Sequence, residues 1–508
     1  MNGQSTPRGS AGFDQTFRST SPATGRVVWE GRAASEQQMD RAVERAQESN
    51  QDWRSRPLKE RIEVARRFAD VARSGRSELA SSIADETGKP RWESNAEAGL
   101  VSAKVDVAIA AQQDRCADDA VELPQGTGRV HHWPVGVLAV LGPFNFPAHL
   151  PNGHIVPALI AGNSVLFKPS EATPGTGALL VRWWAEAGLP AGVLQVLQGG
   201  SSVGQRLVRS DIDGVLFTGS YAAGCAIHRE LAGRPQVMLA LEMGGNNPIM
   251  VHDVADVEAA AKTCVLSAFV TAGQRCTCAR RLIVPDGPTA ELLIRRVVEV
   301  SEAVTVGYPH DDVDPFCGPL ISADAGRRVL QTQSEWIDRG GQALLAARSL
   351  RENDALLSPG VIDVTTMSDR ADTEVFGPLL QVVRVPDVES GLREADATAY
   401  GLAAGLLSDD ATLFDRFRRS VRAGIVNWNQ PTIGASGRLP FGGWGASGNH
   451  RPSGYFAADY CNQVAAGIET TRLHWAEGKY PSLEASDREP ETQDGDRELG
   501  QNPSGGSA

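Results

Sequence analysis

Features typical of membrane-spanning and nucleic-acid-binding proteins are missing from this sequence of 508 residues. No apolar run approaches the roughly 18 residues of a membrane-spanning helix, and the polar first 14 residues lack the apolar core of a signal peptide. Acidic residues outnumber basic ones by 62 to 49, which gives a net charge of −13. Because nucleic-acid binders normally carry a basic surface, we expect neither a membrane partner nor a nucleic-acid partner.

Cysteine and lysine are also scarce. The seven cysteines are an odd number and widely scattered, which is typical of reduced thiols in a cytoplasmic protein. Any special cysteine is therefore expected to be reactive rather than bridged. The basic residues are almost all arginine, and the six lysines stand at positions 59, 89, 104, 168, 262 and 479.

The apolar pattern predicts an α/β fold. Short β-rich runs such as residues 136–141, 164–167 and 214–217 alternate with stretches of helical spacing such as Leu58–Gly75 and residues 257–272. Strands that alternate with helices indicate parallel sheets covered on both faces. We therefore expect two α/β domains, followed by a polar tail over residues 477–508 that we expect to be disordered.

One segment places a cysteine beside an arginine. In residues 273–278 (GQRCTC), Cys276 directly follows Arg275 and comes after a predicted helix. A guanidinium and a helix end can lower the pKa of a thiol below its usual value of about 8.5. The commoner alternative is a small, buried apolar residue. No second pair stands at ligand spacing from Cys276 and Cys278, so no metal site is expected.

A glutamate stands at the end of another apolar run. In residues 241–248 (LEMGGNNP), Glu242 precedes two glycines that let the backbone turn sharply. A carboxylate in an apolar site has a raised pKa and can act as a general base. Taken alone, the segment favours the commoner alternative, an ordinary acid at a strand end.

A rigid loop carries an amide. In residues 142–147 (GPFNFP), two prolines fix the chain and Asn145 stands between two phenylalanines. A fixed amide can donate a hydrogen bond to a developing oxyanion. The alternative is an asparagine that satisfies its own turn.

Two strand ends have features of a nucleotide site. Lys168 and Glu171 follow one strand, where both could bond a ribose diol. A Gly-Ser turn follows another strand and includes Thr218, Gly219, Ser220 and Gly224. Such a turn lets backbone amides approach a phosphate at a helix N-terminus. The full Gly-x-Gly-x-x-Gly pattern is absent, so this turn alone is weak support for a dinucleotide.

The order of these motifs is more specific than any one of them. Glu242 precedes Cys276 by 34 residues, and the segments EVFGP (374–378) and PFGG (440–443) follow. Together the motifs resemble the aldehyde dehydrogenase superfamily, from about residue 16 to residue 470.

The resemblance implies a catalytic role for three residues. Cys276 is the expected nucleophile, which attacks the aldehyde and later carries a thioester. The side chain of Asn145 and the backbone N–H of Cys276 are expected to hold the oxyanion. Glu242 is expected to activate the water that hydrolyses the thioester. This division fits the chemistry, because a covalent intermediate splits one hard step into two.

The resemblance also implies NAD as the cofactor. Lys168 and Glu171 are expected on the adenosine ribose, Gly219 and Ser220 at the pyrophosphate, and Glu374 at the nicotinamide ribose with Phe376 nearby. Since the Glu171 carboxylate would repel a 2′-phosphate, we predict a preference for NAD over NADP.

The fold that the resemblance implies has two Rossmann-like, parallel-sheet domains and a small β-flap. We expect an NAD-binding domain over residues 1–125 and 144–244 and a catalytic domain over residues 245–440. The flap is expected over residues 126–143 and 455–476, where it would join the subunits of a homodimer or homotetramer.

Three segments narrow the expected substrate. Residues 274–281 (QRCTCARR), 241–248 and 445–453 (GASGNHRPS) resemble the branch of the superfamily that oxidises N-succinylglutamate 5-semialdehyde in arginine catabolism. Because this substrate carries two carboxylates, an acidic protein needs a local cationic pocket to bind it. Arg280, His450 and Arg451 are the candidates, and surface or domain-contact roles are the alternative for each.

Other functions stay open at this stage. Within the superfamily, the alternatives are oxidation of succinate semialdehyde, oxidation of a broad range of aldehydes, and transfer of the acyl group to coenzyme A. A non-catalytic structural protein on the same scaffold is a remote alternative, since Cys276 and Glu242 are both intact.

Overall fold

The structure is a computed structural model that describes residues 12–473. The predicted disordered tail at 477–508 lies outside the described residues. No helix among residues 12–473 is both long enough and apolar enough to cross a membrane.

The described residues contain 21 strands, numbered in chain order. They are β1 (Thr16–Thr20), β2 (Val27–Arg32), β3 (Asp119–Leu123), β4 (Gly126–Pro134), β5 (Val137–Leu141), β6 (Ser164–Lys168), β7 (Leu194–Val196), β8 (Gly214–Gly219), β9 (Met238–Met243), β10 (Asn247–Val251), β11 (Ala279–Pro285), β12 (Gln342–Leu345), β13 (Ser349–Leu350), β14 (Asn353–Leu357), β15 (Gly360–Asp363), β16 (Leu379–Val385), β17 (Ala403–Leu407), β18 (Ile425–Trp428), β19 (Pro440–Phe441), β20 (Ser453–Gly454) and β21 (Asn462–Glu469).

Fourteen α-helices separate these strands. They are α1 (Glu36–Ser55), α2 (Leu58–Ser74), α3 (Arg76–Thr87), α4 (Arg91–Arg115), α5 (His149–Ala161), α6 (Pro174–Glu186), α7 (Ser201–Arg209), α8 (Tyr221–Leu231), α9 (Val257–Phe269), α10 (Ala290–Glu302), α11 (Ala323–Asp338), α12 (Val388–Asp396), α13 (Ala411–Ser420) and α14 (Ala457–Tyr460). Short 3₁₀ turns occur at Val270–Gly273 and Gly445–Ser447.

The first sheet is entirely parallel and has the order β7-β6-β5-β8-β9. Its central strand β5 shows why both faces are covered. Leu138 and Val140 pack into one hydrophobic cluster, whereas Val137, Ala139 and Leu141 pack into another. Since alternate residues of a strand point to opposite faces, a continuous apolar run is what a sheet buried on both sides requires.

The second sheet has the order β12-β15-β16-β11-β10-β17-β18, and only its edge strand β12 is antiparallel to its neighbour. The same alternation appears in β10, where Met250 packs on one side and Ile249 and Val251 pack on the other. The predicted α/β class with two parallel sheets is therefore confirmed. The strands of the two sheets divide between Met243 and Asn247.

The chain forms two compact units. Of the described residues, the larger contains 12–118 and 131–465, and the smaller contains 119–130 and 466–473. Strands β21, β4 and β3 form a three-stranded sheet in that order.

This arrangement corrects the predicted flap boundaries. Residues 137–141 were assigned to the flap, but the structure places them in the first parallel sheet as β5, because all five are buried and apolar. Strand β3 was assigned to the NAD-binding domain, but it pairs with β4. Residues 457–460 form the short helix α14 rather than a strand.

The parallel sheets bring dispersed residues to common edges. Strands β6, β8 and β9 run in the same direction and end at Lys168, Gly219 and Met243 respectively. Ligands of open α/β sheets bind beyond the carboxyl ends of the strands. The Lys168, Gly-Ser and Glu242 segments therefore meet at the edge where such a ligand is expected.

Candidate active site

Cys276 lies on an unusual loop between α9 and β11. We predicted a helix through residue 272, but α9 ends at Phe269 because Thr271, Ala272 and Gly273 adopt left-handed conformations, with φ of 58°, 51° and 70°. A Cβ on Gly273 would stand 2.1 Å from the carbonyl oxygen of Gly377. Only glycine therefore fits at this position, and strained backbone of this kind is often found at functional sites.

Two side chains hold this loop through its carbonyl groups. Asn247 Nδ2 donates to the carbonyl oxygens of Cys276 and Cys278, at 2.7 and 2.9 Å. Arg280 Nη1 and Nη2 donate to the carbonyl oxygens of Gly273 and Arg275, at 2.7 and 2.9 Å. The position of the thiol is thus fixed by residues on β10 and β11.

The surroundings of the Cys276 thiol favour its neutral form. Burial raises its pKa to about 12, and the carboxylates of Glu374 and Glu242 act in the same direction. The expectation that Arg275 activates the thiol is wrong, because its guanidinium bonds Thr271 at 2.7 Å and Glu93 at 2.9 Å.

Glu242 is a buried carboxylate at the end of β9. Burial raises its pKa well above the usual range. Its Oε1 accepts a hydrogen bond from the backbone N–H of Ser453 at 3.2 Å, and Oε2 has no hydrogen-bond partner among the described residues. An unpaired oxygen on a carboxyl of raised pKa is suited to accept a proton from water.

Asn145 precedes α5 and reaches the same place. Its side chain is buried, and Nδ2 donates to the carbonyl oxygen of Gln274 at 2.8 Å. The amide is therefore anchored two residues before Cys276. An amide has two N–H donors, so one is left for a ligand oxygen.

A single cavity of about 830 Å³ contains all three side chains. Its wall also includes seven of the predicted cofactor residues: Lys168, Glu171, Thr218, Gly219, Ser220, Glu374 and Phe376. Such a volume is typical of a site for a cofactor-sized ligand. The structure thus brings the separate sequence motifs to one place.

Lys168 and Glu171 lie at the end of β6. Lys168 Nζ donates to the carbonyl oxygen of Pro169 at 2.8 Å and lies 3.5 Å from Glu171 Oε2. Burial lowers the pKa of Lys168, and the Glu171 charge opposes this shift. Glu171 is the more exposed of the two, so its carboxylate is available to a ligand in the cavity.

The Gly-Ser turn joins β8 to α8. Ser220 caps the helix, since its Oγ accepts from the backbone N–H of Ala223 at 3.3 Å. Gly224 does not line the cavity, and its predicted cofactor role stays a prediction. A Cβ on Gly224 would stand 2.3 Å from the sulfur of Met243, so this glycine instead allows α8 to pack on β9.

Glu374 and Phe376 form the wall nearest to Arg280. Burial raises the pKa of Glu374, and the Arg280 charge opposes this shift. Glu374 Oε1 is buried without a hydrogen-bond partner in the described part of the chain, and Arg280 Nη2 is 3.6 Å away. The ring of Phe376 meets that of Phe144 edge-on, with ring centres 6.0 Å apart.

The three predicted substrate residues are not brought together. Arg280 is fully buried, Nη1 and Nη2 donate to backbone carbonyls, and the residue does not line the cavity, so the prediction that it binds substrate does not fit its position. His450 and Arg451 are exposed. They stand just before Ser453, whose N–H binds Glu242.

Sequence reasoning missed a histidine of this site. His154 Nε2 lies 3.2 Å from Thr218 Oγ1, and Nδ1 lies 2.8 Å from the hydroxyl of Tyr460. Burial lowers the pKa of His154 to about 3, so the imidazole is neutral. His154 lies on α5, nine residues after Asn145. No sequence motif marks it, and only the position of α5 in the fold shows that it contacts the site.

Comparison with known proteins gives the family. The model of the aldehyde dehydrogenase family matches residues 10–466. An N-succinylglutamate 5-semialdehyde dehydrogenase of Pseudomonas fluorescens is 48% identical over 91% of this chain and 95% of its own length. A protein of Caulobacter vibrioides called N-succinylglutamate 5-semialdehyde dehydrogenase 1 is 51% identical over 89% of this chain and 96% of its own length.

Solved structures agree with this result. A 1-pyrroline-5-carboxylate dehydrogenase from Thermus with bound NAD is 30% identical, with a TM-score of 0.85 over 90% of each chain. An NADP-dependent glyceraldehyde-3-phosphate dehydrogenase from Bacillus halodurans complexed with NADP is 28% identical, with a TM-score of 0.82 over 90% of this chain and 96% of that one. By sequence and by fold, the chain belongs to the aldehyde dehydrogenase family.

Proposed function

We propose that this enzyme oxidises N-succinylglutamate 5-semialdehyde to N-succinylglutamate, with NAD as the acceptor, in arginine catabolism. The observation that supports it most is the meeting of Cys276, Glu242 and Asn145 in one cavity. The substrate is the one that gives the Pseudomonas fluorescens and Caulobacter vibrioides relatives their name, and both relatives match this chain over nearly their whole length.

The residues of the cavity fit NAD. The unpaired oxygen of Glu374 and the half-buried carboxylate of Glu171 are acceptors for ribose hydroxyls. The turn at Gly219 and Ser220 opens the N-terminus of α8, where backbone N–H groups favour a phosphate. Bound NAD supplies the hydride acceptor that the oxidation requires. The preference for NAD over NADP follows from the Glu171 carboxylate.

Cys276 and Asn145 act in the first half of the reaction. The sulfur, once deprotonated, forms a bond to the aldehyde carbon, and the carbonyl oxygen becomes an oxyanion. The second N–H of the Asn145 amide and the backbone N–H of Cys276 are the donors for this oxygen. Loss of hydride from the carbon leaves a thioester on Cys276.

The second half belongs to Glu242. Its unpaired Oε2 takes a proton from water as the water oxygen bonds to the thioester carbon. The carbon–sulfur bond then breaks, which releases the acid and returns the thiolate. Presence of this base favours hydrolysis over transfer of the acyl group to coenzyme A.

A panel of aldehydes tests the substrate. NADH production is measured with N-succinylglutamate 5-semialdehyde, succinate semialdehyde and hexanal. The proposal predicts the highest kcat/KM for the first. A higher value for succinate semialdehyde would transfer the assignment to that substrate, and similar values for all three would indicate a broad-range enzyme.

A further inference from the structure

A buried cation stands near the active site without a partner. Lys104, on α4, is 8% exposed, yet it forms no hydrogen bond or ion pair with any residue in the range 12–473. The nearby buried lysine behaves differently, since Lys89 Nζ lies 2.7 Å from Glu97 Oε2. Buried ammonium groups are normally paired, so the isolation of Lys104 calls for a reason.

The end of the Lys104 side chain lies beside Gly153 of α5. A Cβ built on Gly153 of α5 would meet only Lys104 within 4 Å, with Cε at 3.5 Å and Nζ at 3.7 Å. Since no other side chain comes within that distance, the absence of a side chain at Gly153 leaves room directly beside the ammonium.

This space adjoins the catalytic cavity. Gly153 stands three residues after Leu150, which lines the cavity with Cys276, so the two share a face of α5. The next residue, His154, contacts Thr218 of the cavity wall. Three residues of helix, a rise of about 4.5 Å, therefore separate Gly153 from Leu150 in the wall of the site that contains the nucleophile.

No neighbouring anion compensates the charge of Lys104. The titratable groups that face it are His149 and His154 of α5. Burial lowers the pKa of each to about 3, and the Lys104 charge acts in the same direction. Burial also lowers the pKa of Lys104 to about 8. An unpaired buried cation lowers the stability of the free protein. A methionine at position 104 has a similar length and would not carry this energetic cost.

We propose that the Lys104 ammonium binds a carboxylate of the aldehyde substrate in the space left by Gly153, and that it selects acidic semialdehydes over neutral ones. This inference rests on the proposed function, because N-succinylglutamate 5-semialdehyde carries two carboxylates. Lys104 would hold one of them inside the protein. Arg451 and His450, which are exposed, would then be left for the other.

Three variants test the role of Lys104. Lys104→Met removes the charge and keeps the length, Lys104→Arg keeps the charge, and Lys262→Met removes a charge from an exposed position on α9. Each is assayed for kcat/KM with N-succinylglutamate 5-semialdehyde, succinate semialdehyde and hexanal, and each is melted. Because loss of one partner of a buried charge pair is costly, Lys104→Met should lower kcat/KM for the acidic substrate by about 30-fold or more, through KM.

The other readouts separate binding from structure. Lys104→Met should change kcat/KM for hexanal by less than about threefold and should melt no lower than the unaltered enzyme, since an unpaired buried charge is removed. Lys104→Arg should retain most of the acidic preference, and Lys262→Met should retain all of it. An equal loss on acidic and neutral aldehydes, or no loss on either, would overturn the inference.

If the proposed function is wrong, the substrate preference of the unaltered enzyme shows it independently of the Lys104 variants. If the unaltered enzyme favours succinate semialdehyde, the substrate assignment is wrong, and Lys104 is then judged by whether Lys104→Met loses that preference over hexanal. If the unaltered enzyme favours no acidic aldehyde over hexanal, the Lys104 inference is overturned as well.

Discussion

At the scale of single residues, the charges around Cys276 determine when its thiol can react. Burial raises the pKa of this thiol to about 12, the carboxylates of Glu374 and Glu242 act in the same direction, and the Arg280 charge opposes them. The neighbouring Arg275 pointed to the opposite effect, because a sequence gives adjacency but not the direction of a side chain. The guanidinium turns to Glu93, which lies 182 positions away in the chain.

This raised pKa predicts how the free enzyme reacts with an alkylating agent. Since the thiolate fraction of a group with pKa about 12 rises with pH throughout the neutral range, iodoacetamide labelling of Cys276 should accelerate about tenfold per pH unit between pH 7 and 9. Peptide mass spectrometry measures the rate, with Cys276→Ser as background. A rate that levels off near pH 8 would contradict the burial effect.

Glu171 gives a prediction about the cofactor. Replacement by glutamine removes the negative charge beside Lys168 and keeps the shape, so repulsion of a 2′-phosphate is lost. We expect kcat/KM with NADP to rise about tenfold relative to that with NAD. The unaltered enzyme is the reference, and equal efficiency with NADP and NAD in that reference would refute the preference itself.

At the scale of elements, the local apolar pattern was enough to predict most strands of the two parallel sheets. The runs predicted at 164–167 and 214–217 are strands, which extend to residues 168 and 219, because buried parallel strands are short apolar runs bounded by turns. The helix predicted over residues 257–272 stopped early at Phe269. Its last residues have the right composition, but the close approach of Gly377 to Gly273 fixes the chain in a left-handed turn.

This turn can be tested directly. Gly273→Ala introduces a Cβ that would overlap the Gly377 carbonyl, at a φ of +70°. We expect a loss of about 1–3 kcal/mol in the free energy of unfolding, together with a loss of activity, because Cys276 follows three residues later. Gly287→Ala is the matched control, since a Cβ there meets nothing within 4 Å. Equal stability of the two variants in urea would show that the turn is not constrained.

At the scale of the whole molecule, residues far apart in the chain meet in ways that no local pattern shows. Lys104 and Gly153 belong to different helices, and neither resembles a motif. The family resemblance was sufficient to identify the three catalytic candidates, Cys276, Glu242 and Asn145. Arg280 was misassigned because a sequence motif does not show whether a side chain points to the substrate or holds the backbone of its own loop. The order of the motifs predicted the architecture, whereas the side-chain contacts are visible only in the folded structure.

Exposed apolar residues of the smaller unit lead to a prediction about assembly. Val121 and Ile468 lie on strands and are 56% and 55% exposed, which is typical of an interaction surface. We propose that these strands join copies of the chain into a homodimer or homotetramer. Val121→Asp combined with Ile468→Asp should reduce the mass seen by light scattering to that of one chain. Val313→Asp, at an exposed loop position, should leave the mass unchanged, and a monomeric unaltered enzyme would refute the proposal.

The most direct test of the covalent mechanism is a single turnover of Glu242→Gln. Mixed rapidly with NAD and N-succinylglutamate 5-semialdehyde, this variant should release about one NADH per site and then stall, because the thioester forms but water is not activated. Mass spectrometry should then find the acyl group on Cys276. A variant that turns over steadily at the normal rate, or one that gives neither the burst nor acylated Cys276, would contradict the account.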